Sequence, residues 1–215
     1  MTKAVFLDRD GVINKKPPEG DYVTCWEDFK FLPRVVEAIA QLNRAGFRVI
    51  VITNQRCIAK GLMTAAELET MHQRMSESLA ERGARIDAIY YCPHEMKPIC
   101  RCRKPAAGMF VDAARDYGIE LAASWMIGDS DIDIEAGKNA GCKTARLLDE
   151  TGEDADAAQS PRNSGELVAN SLFDAVRQIL HYEKRIEGQE IVVSASSAHP
   201  MERVASHSKN NKANS

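Results

Sequence analysis

Short apolar runs alternate along the chain with longer segments in which apolar residues recur three and four positions apart. The short runs predict buried β-strands, and the longer segments predict amphipathic helices. A regular alternation of the two is typical of βαβ units, in which helices cover the faces of a parallel sheet. The pattern therefore predicts an α/β fold with a parallel sheet flanked by helices.

The strand candidates are KAVFLD, FRVIVIT, IDAIYYC, SWMIGD and KTARLL. The helix candidates are the segments after Pro33 and after Thr64, then GMFVDAARDYG, DIEAGKNAG and SLFDAVRQILHY. The helix after Thr64 has a clear start, because Thr64 and Glu67 are spaced as a capping box. Its methionines, Met71 and Met75, are expected in the core, whereas His72 is expected on the polar face.

The apolar pattern decays beyond Ile186, apart from a short run at residues 191–193, and the last residues are rich in Ser, Asn and Lys. A segment of this composition cannot bury enough apolar surface to offset the entropy lost on ordering. We therefore predict one domain over residues 1–185 and a disordered tail over residues 186–215.

Composition narrows the classes of function. A chain of 215 residues with 44% hydrophobic content can bury the core of one domain. The net charge is −3 and both signs are interspersed, which argues against a nucleic-acid partner. The sequence offers neither a signal peptide nor an apolar run of membrane-spanning length. We expect a cytoplasmic monomer that acts on a small molecule, with no membrane partner.

Three of the strand candidates run directly into polar residues: FLD into RDG, VIT into NQR, and MIG into DSD. In parallel sheets, ligands bind at the carboxyl ends of the strands. The residues gathered at that edge would be Asp8, Asp10, Thr53, Asn54, Asp129 and either Asp131 or Asp133. Converging carboxylates repel one another unless a cation lies between them, and hard oxygen ligands suit magnesium.

In this order, DRDGVIN, ITN, RKP and IGDSDID resemble the four motifs of the haloacid dehalogenase (HAD) superfamily, over about residues 3–150. The resemblance implies a Rossmann-like phosphatase with no large cap domain. Asp8 would be the nucleophile that becomes an aspartyl-phosphate, and Asp10 the general acid and then the general base. Thr53 and Lys104 would hold the phosphoryl oxygens. Magnesium would be bound by Asp8, Asp129 and the backbone carbonyl of Asp10.

The segment CPHEMKPICRC, at residues 92–102, is a second candidate site. Cys92, His94, Cys100 and Cys102 could complete a tetrahedral zinc shell with no open position, which indicates a structural metal. The alternative is a set of buried or incidental thiols. A zinc loop directly before RKP is similar to that of the HAD subfamily that contains heptose-bisphosphate and histidinol-phosphate phosphatases.

A zinc loop also permits a different class of function, a binding module without catalysis. Such a module needs a basic or aromatic surface around the metal. The segment and the two residues after it offer four cations, Lys97, Arg101, Arg103 and Lys104, and the only aromatic residues beside it, Tyr90 and Tyr91, directly precede it. The phosphatase interpretation is therefore favoured.

The choice of substrate is expected to rest on three loops: residues 14–23, residues 53–61 and the zinc loop. The segments YVTCWEDFKFLP, TNQ, IAKG and IDAIYYCPH resemble those of the heptose-bisphosphate branch. That resemblance implies removal of the 7-phosphate of D-glycero-D-manno-heptose 1,7-bisphosphate. The short spacing between His94 and Cys100 resembles the histidinol-phosphate branch, which stays the alternative.

The predicted substrate-binding residues are Tyr22, Asn54, Gln55, Arg56 and Arg103. Either arginine could make bidentate contacts to a second phosphate. Tyr22 would suit an imidazole-bearing substrate. The chain departs from the heptose pattern in two places, with TNQRCIAKG in place of TNQSGIARG and GDS in place of GDK. The identity of the substrate is therefore left open by these departures, which fall at Arg56, Cys57 and Ser130. Cys57 is expected to be a small buried or semi-buried hydrophobe, like Cys25 and Cys142.

Overall fold

A computed structural model describes residues 2–97, 99–148 and 166–196. Six parallel strands form one sheet in the order β3-β2-β1-β4-β5-β6. The strands are β1 (Ala4–Leu7), β2 (Arg48–Asn54), β3 (Ala88–Cys92), β4 (Trp125–Gly128), β5 (Lys143–Leu147) and β6 (Leu167–Ala169). The predicted parallel α/β fold is confirmed. The sequence did not reveal β6, because three residues are too short a run to show periodicity.

The helices are α1 (Val35–Arg44), α2 (Ala65–Ala80), α3 (Gly108–Tyr117), α4 (Asp131–Asn139) and α5 (Leu172–Ser196). Short 3₁₀ turns cover residues 26–28 and 121–123. Within the described chain as far as residue 148, each connection between strands contains one of these helices and no separate cap domain. No helix among the described residues is both long and apolar enough to span a membrane.

The core consists of two apolar clusters, and alternate residues of each central strand belong to opposite clusters. Val5 and Leu7 of β1 lie in the cluster that includes residues of α1 and α2. Ala4 and Phe6 lie in the cluster that includes residues of α3 and α4. Strands covered on both faces are apolar at every position, which is why their sequences read as continuous runs.

The strand order determines where along the sheet a crevice for a site can open. From β1 the chain proceeds to β2 and β3 on one side, and then crosses to β4, β5 and β6 on the other. The two directions diverge between β1 and β4, so a crevice opens at the carboxyl ends of these strands. Asp8 follows β1 and Asp129 follows β4, and both therefore lie at this switch point.

Two expectations about single side chains are wrong. His72 is buried, 5% exposed, because the side chain of Arg9 reaches α2 and contacts its ring. Cys25 is exposed, because it precedes the surface turn at residues 26–28, where its thiol contacts the carboxylate of Asp28 at 3.1 Å. The buried positions of Met71 and Met75 are confirmed, as are those of Cys57 and Cys142.

The chain divides into two compact units, Met1–Leu180 and His181–Ser215. The described part of the second unit continues α5 as far as Ser196. Residues 197–215 lie outside the described residues. The domain boundary at residue 185 and the disordered tail stay predictions.

Candidate active site

Two glycines let the acidic residues approach one another. Gly11 has a φ of +88°, and a Cβ there would lie 2.3 Å from Oδ2 of Asp129. A Cβ on Gly128 would lie 2.1 Å from the Cβ of Asp133. The loop after β1 and the start of α4 can come this close only because neither position carries a side chain.

Three carboxylates meet at the switch point. Asp8, Asp129 and Asp133 each place an oxygen within 4.8 Å of the others. Asp133 also closes the capping box at the start of α4, where Oγ of Ser130 donates to Oδ2 of Asp133 at 2.6 Å. From the sequence, Asp133 was one of two possibilities; the other, Asp131, pairs instead with Arg146.

Lys104 is the buried cation of this cluster. Its Nζ donates to Oδ1 of Asp8 at 2.7 Å and to the carbonyl of Ile52 at 2.8 Å, and it lies 2.6 Å from Oδ1 of Asp133. Burial alone would lower the pKa of Lys104, but Asp133 and Asp8 together raise it. Lys104 is therefore charged, and it is shared by two carboxylates.

The cluster keeps an excess of negative charge. Asp129 has its own cation, Lys16, whose Nζ lies 2.7 Å from Oδ2 and whose side chain is 59% exposed. Three carboxylates thus face two lysines. Burial raises the pKa of Asp8 to about 7, although Lys104 opposes the rise, and Asp133 and Asp129 add to it. Oxygen donors with unbalanced negative charge fit Mg²⁺, so the residues present suit this ion.

Asp10 lies in a contrasting environment. Nη2 of Arg9 donates to both of its carboxylate oxygens at 2.9 Å. Asn14 Nδ2 donates to Oδ1 at 2.8 Å, and Gln55 Nε2 donates to Oδ2 at 3.1 Å. Burial would raise the pKa of Asp10, but the Arg9 charge and these hydrogen bonds bring it below its ordinary value. The carboxylate of Asp10 is not part of the three-carboxylate cluster, and a metal contact through its backbone carbonyl stays a prediction.

The side chains at the end of β2 hydrogen-bond to other residues of the site. Gln55 Nε2 donates to Oγ1 of Thr53 at 2.9 Å as well as to Asp10, so it joins the two side chains. The side-chain amide of Asn54 makes two hydrogen bonds to the backbone of Lys104. Its Oδ1 accepts from the Lys104 N–H at 3.0 Å, and its Nδ2 donates to the Lys104 carbonyl at 3.2 Å. Asn54 and Gln55, predicted to bind substrate, have side chains that position other site residues.

The four predicted zinc ligands come together at the end of β3. The Sγ atoms of Cys92, Cys100 and Cys102 lie 3.4–3.5 Å apart. Nδ1 of His94 lies 3.2 Å from Sγ of Cys102 and 3.6 Å from that of Cys92. These separations fit ligands around one tetrahedral ion with bonds of about 2.0–2.3 Å. The donor set therefore suits zinc.

The zinc loop is continuous with the active site, because Cys102 is followed by Arg103 and Lys104. Arg103 Nη1 donates to the carbonyl of His94 at 3.3 Å, and Arg56 pairs with Glu95. Both arginines predicted to contact phosphate thus have partners in the zinc loop. The third candidate on these loops, Tyr22, has the Nζ of Lys60 4.9 Å from its ring centroid.

Sequence reasoning missed Lys16 as a site residue. The two consecutive lysines of NKKPP, directly after the first motif, were the available signal. The pairing of Lys16 with Asp129 joins residues 113 positions apart, which local pattern does not encode.

A parallel sheet whose switch point combines a carboxylate at the end of the central strand, a hydroxyl at the next strand and a buried lysine defines a phosphatase of the HAD class. Comparisons with known proteins agree. Residues 101–175 match a family model described as HAD-hydrolase-like. The chain is 40% identical over 189 residues to the D-glycero-β-D-manno-heptose-1,7-bisphosphate 7-phosphatase of Escherichia coli strain K12, covering 84% of this chain and 95% of that protein.

A protein of the same name from Pseudomonas aeruginosa is 39% identical over 176 residues, covering 82% of this chain and 97% of that protein. Among solved structures, D,D-heptose 1,7-bisphosphate phosphatase from B. bronchiseptica, complexed with magnesium and phosphate, matches with a TM-score of 0.77 and 36% identity. That match covers 84% of this chain and 99% of the other. The chain belongs to the HAD superfamily of phosphatases, in the subfamily that contains the heptose-bisphosphate phosphatases. The alternative of a zinc-binding module without catalysis is not supported.

Proposed function

We propose that the protein hydrolyses the 7-phosphate of D-glycero-D-manno-heptose 1,7-bisphosphate, through an aspartyl-phosphate on Asp8 and with magnesium. The observation that carries the proposal is the extent of the similarity. Relatives that bear this activity in their names are about 40% identical over nearly their whole length. The contact between Asp8 and Lys104 supplies the chemistry that such a reaction needs.

In the first step, Asp8 attacks phosphorus as its carboxylate, and the bond from phosphorus to the sugar oxygen breaks. The ammonium group of Lys104 attracts both Asp8 and the phosphoryl oxygens, which reduces the repulsion between these anions. Thr53 donates a hydrogen bond to a phosphoryl oxygen. A magnesium ion held by Asp8 and Asp129, with Asp133 beside them, would supply the positive charge that allows an anion to approach a phosphate dianion.

Asp10 is proposed to carry out both proton transfers of the reaction. Its lowered pKa means that it is a carboxylate before substrate binds. A phosphate dianion beside it raises that pKa, so Asp10 can carry the proton that the leaving oxygen needs. Once ionised, Asp10 takes a proton from the water that attacks the aspartyl-phosphate, which restores Asp8 and releases phosphate.

The second phosphate of a bisphosphate needs a cation away from the reacting centre. Arg56 and Arg103, which have partners in the zinc loop, are proposed for it. Lys16 contacts Asp129, the residue before Ser130, where some members of the family carry a lysine. Tyr22 stays a proposed contact.

Zinc is proposed as a structural ion. Bound by Cys92, His94, Cys100 and Cys102, it would fix the loop that ends at Lys104. That the enzyme acts as a monomer in the cytoplasm also stays a prediction.

Histidinol phosphate is the second candidate substrate. The observation that favours it is the short zinc loop, in which residues 95–99 alone separate His94 from Cys100. The identity to the heptose-bisphosphate enzymes extends over far more of the chain, so we place this candidate second.

The test measures phosphate release from the α and β anomers of heptose 1,7-bisphosphate and from histidinol phosphate, each with Mg²⁺ and as kcat/KM. Asp8→Asn is the control for contaminating phosphatases. We expect the bisphosphate to be preferred by a factor of about 100 or more, since a second phosphate adds charge-assisted contacts. An equal or higher kcat/KM for histidinol phosphate would overturn the assignment.

A further inference from the structure

Arg9, the middle residue of DRD, is fully buried. A guanidinium keeps its charge at any pH the protein experiences, and a buried charge is costly unless each donor has a partner. Arg9 directs Nε and Nη2 to Asp10 and Nη1 to α2. The ring of Phe29 lies 5.9 Å from its guanidinium carbon. Arg9 therefore links the proton-handling carboxylate to a helix outside the strand-end motifs.

His72 is the group on α2 that receives this arginine. Its Nε2 lies 3.3 Å from Nη1 of Arg9, and Sδ of Met71 lies 3.8 Å from the same nitrogen. Since arginine only donates, Nε2 of His72 must accept, and the ring is neutral with its proton on Nδ1. Burial and the Arg9 charge lower the pKa of His72 to about 3, which keeps it neutral.

The hydrogen bonds to Asp10 define which of its oxygens can exchange a proton. Oδ1 accepts from Arg9 Nε at 3.2 Å, from Arg9 Nη2 and from Asn14. Oδ2 accepts from Arg9 Nη2 and from Gln55. The side chain keeps 22% exposure, so one edge is open to the site. Oδ2 has the fewer donors, and its direction depends on where the guanidinium lies.

We infer that His72 and Arg9 form a positioning relay for Asp10, in which the neutral imidazole fixes the guanidinium and the guanidinium fixes the carboxylate. His72 is thereby a positioning residue for the reaction although it touches neither Asp10 nor the three-carboxylate cluster. The relay rests on the proposed function only in giving Asp10 the proton-transfer role.

The relay has a direction that can be measured. If His72 loses its acceptor, Nη1 of Arg9 keeps only the weak sulfur acceptor of Met71 in a buried site, and the guanidinium shifts to find a better partner. The two-oxygen contact to Asp10 then loosens, and the pKa of Asp10 rises. The charged or titratable groups around Asp10 and Arg9 are Asp8 from the end of β1, His72 from α2 and Cys57 from the loop after β2.

The first test needs no substrate. The full-length protein, loaded with Mg²⁺ and labelled with ¹³C at the aspartate carboxyl carbons, is titrated by NMR, and Asp10→Asn assigns the signal. His72→Leu removes the acceptor and His72→Gln keeps one. Met75→Leu is the control, because Met75 is a buried residue of α2 and the side-chain hydrogen bonds of Arg9 go to Asp10, Met71 and His72. We expect a pKa for Asp10 that is higher by about 0.5–1 in His72→Leu and close to wild type in the other two.

The second test is kinetic and uses whichever phosphate ester the wild type turns over best. We expect His72→Leu to slow breakdown of the aspartyl-phosphate about 5–20-fold with little change in KM, and to move the acid limb of the kcat profile to higher pH. Arg9→Lys, which keeps the charge but loses the forked contact, should show the same changes more strongly and serves if His72→Leu does not fold.

An Asp10 pKa in His72→Leu and in Arg9→Lys equal to that in Met75→Leu would overturn the relay. So would a breakdown rate and acid limb that match this control. Failure of the proposed function is a separate result, seen as the absence of heptose bisphosphate turnover by the wild type. The NMR titration does not depend on that result, because it needs no substrate.

Discussion

Asp8 and Asp10 are two residues apart in one turn, yet their environments push their proton affinities in opposite directions. Asp8 lies among carboxylates that share too little positive charge, and its pKa is raised to about 7. Asp10 lies against an arginine and two amide donors, and its pKa is lowered. The difference teaches that the fold can give the same side chain a higher or a lower pKa according to which partners it brings to that side chain.

The largest effect that separates the two carboxylates is expected from Asp8→Asn. An amide cannot form the acyl phosphate, so turnover should fall by roughly 10⁴-fold or more while the fold is kept. Phosphate release measures the first quantity and circular dichroism the second. Retained hydrolysis would assign the nucleophile elsewhere.

Asp10→Asn is expected to act on proton transfer and not on nucleophilic attack. Turnover should fall about 10²–10⁴-fold, and the aspartyl-phosphate should still form from a substrate with a good leaving group. Acid-quench trapping of the phosphoenzyme distinguishes this variant from Asp8→Asn, in which none should be trapped. Equal rates of phosphoenzyme breakdown in variant and wild type would contradict the role of Asp10.

Lys104→Met should affect the surroundings of Asp8 and not those of Asp10. It leaves Asp8 and Asp133 buried without their cation, which costs about 3–5 kcal/mol of folding free energy at neutral pH. The loss should shrink as pH falls and the carboxylates bind protons. Activity should drop about 10²–10³-fold. Urea unfolding at pH 5 and pH 8 measures the first effect.

Lys138→Met is the matched control for that variant, since Lys138 is exposed and pairs with Glu166. Its stability should differ from wild type by less than about 1 kcal/mol at both pH values. A Lys104→Met protein equally destabilised at pH 5 and pH 8 would contradict the charge argument.

Loss of zinc should displace Lys104 and so weaken its contact with Asp8, while the hydrogen bonds to Asp10 stay intact. Cys100→Ser is expected to lose stoichiometric zinc and about 10–100-fold in kcat/KM. Elemental analysis measures the metal, and the Asp10 carboxyl titration measures the network. Unchanged zinc content would reject the ligand set; a shifted Asp10 pKa would show that the two centres are not independent.

The smallest expected effect is on the pH dependence of stabilisation by Mg²⁺. Because the pKa of Asp8 is raised to about 7, the folded protein holds this proton more tightly than the unfolded chain does. Without metal, the contribution of Asp8 to stability is therefore present at low pH and is lost as pH rises toward and through 7. Mg²⁺ requires the carboxylate, so its stabilising effect should grow over the same range.

Thermal unfolding with and without Mg²⁺ at pH 5.5 and pH 8 checks this expectation, and the increment in Tm should be larger at pH 8. Asp8→Asn should remove most of that difference. Equal increments in the wild type at the two pH values would contradict the raised pKa.

The sequence by itself determined the parallel α/β fold, the strands that end in Asp8, Thr53 and Asp129, and the spacing that brings four zinc-type ligands together. Each of these depends on residues close together in the chain. Apolar periodicity reports which face of an element is buried, and a motif at a strand end lies at the same sheet edge as every other parallel strand end.

Only the tertiary structure decided which distant side chains face one another. Lys16 meets Asp129 across 113 positions, and His72 receives Arg9 across 63. The sequence placed His72 on a polar face, because helical periodicity does not reveal that a buried arginine from another element needs an acceptor there. Charges and hydrogen bonds of this kind depend on how the elements pack, and they are what set Asp8 and Asp10 apart.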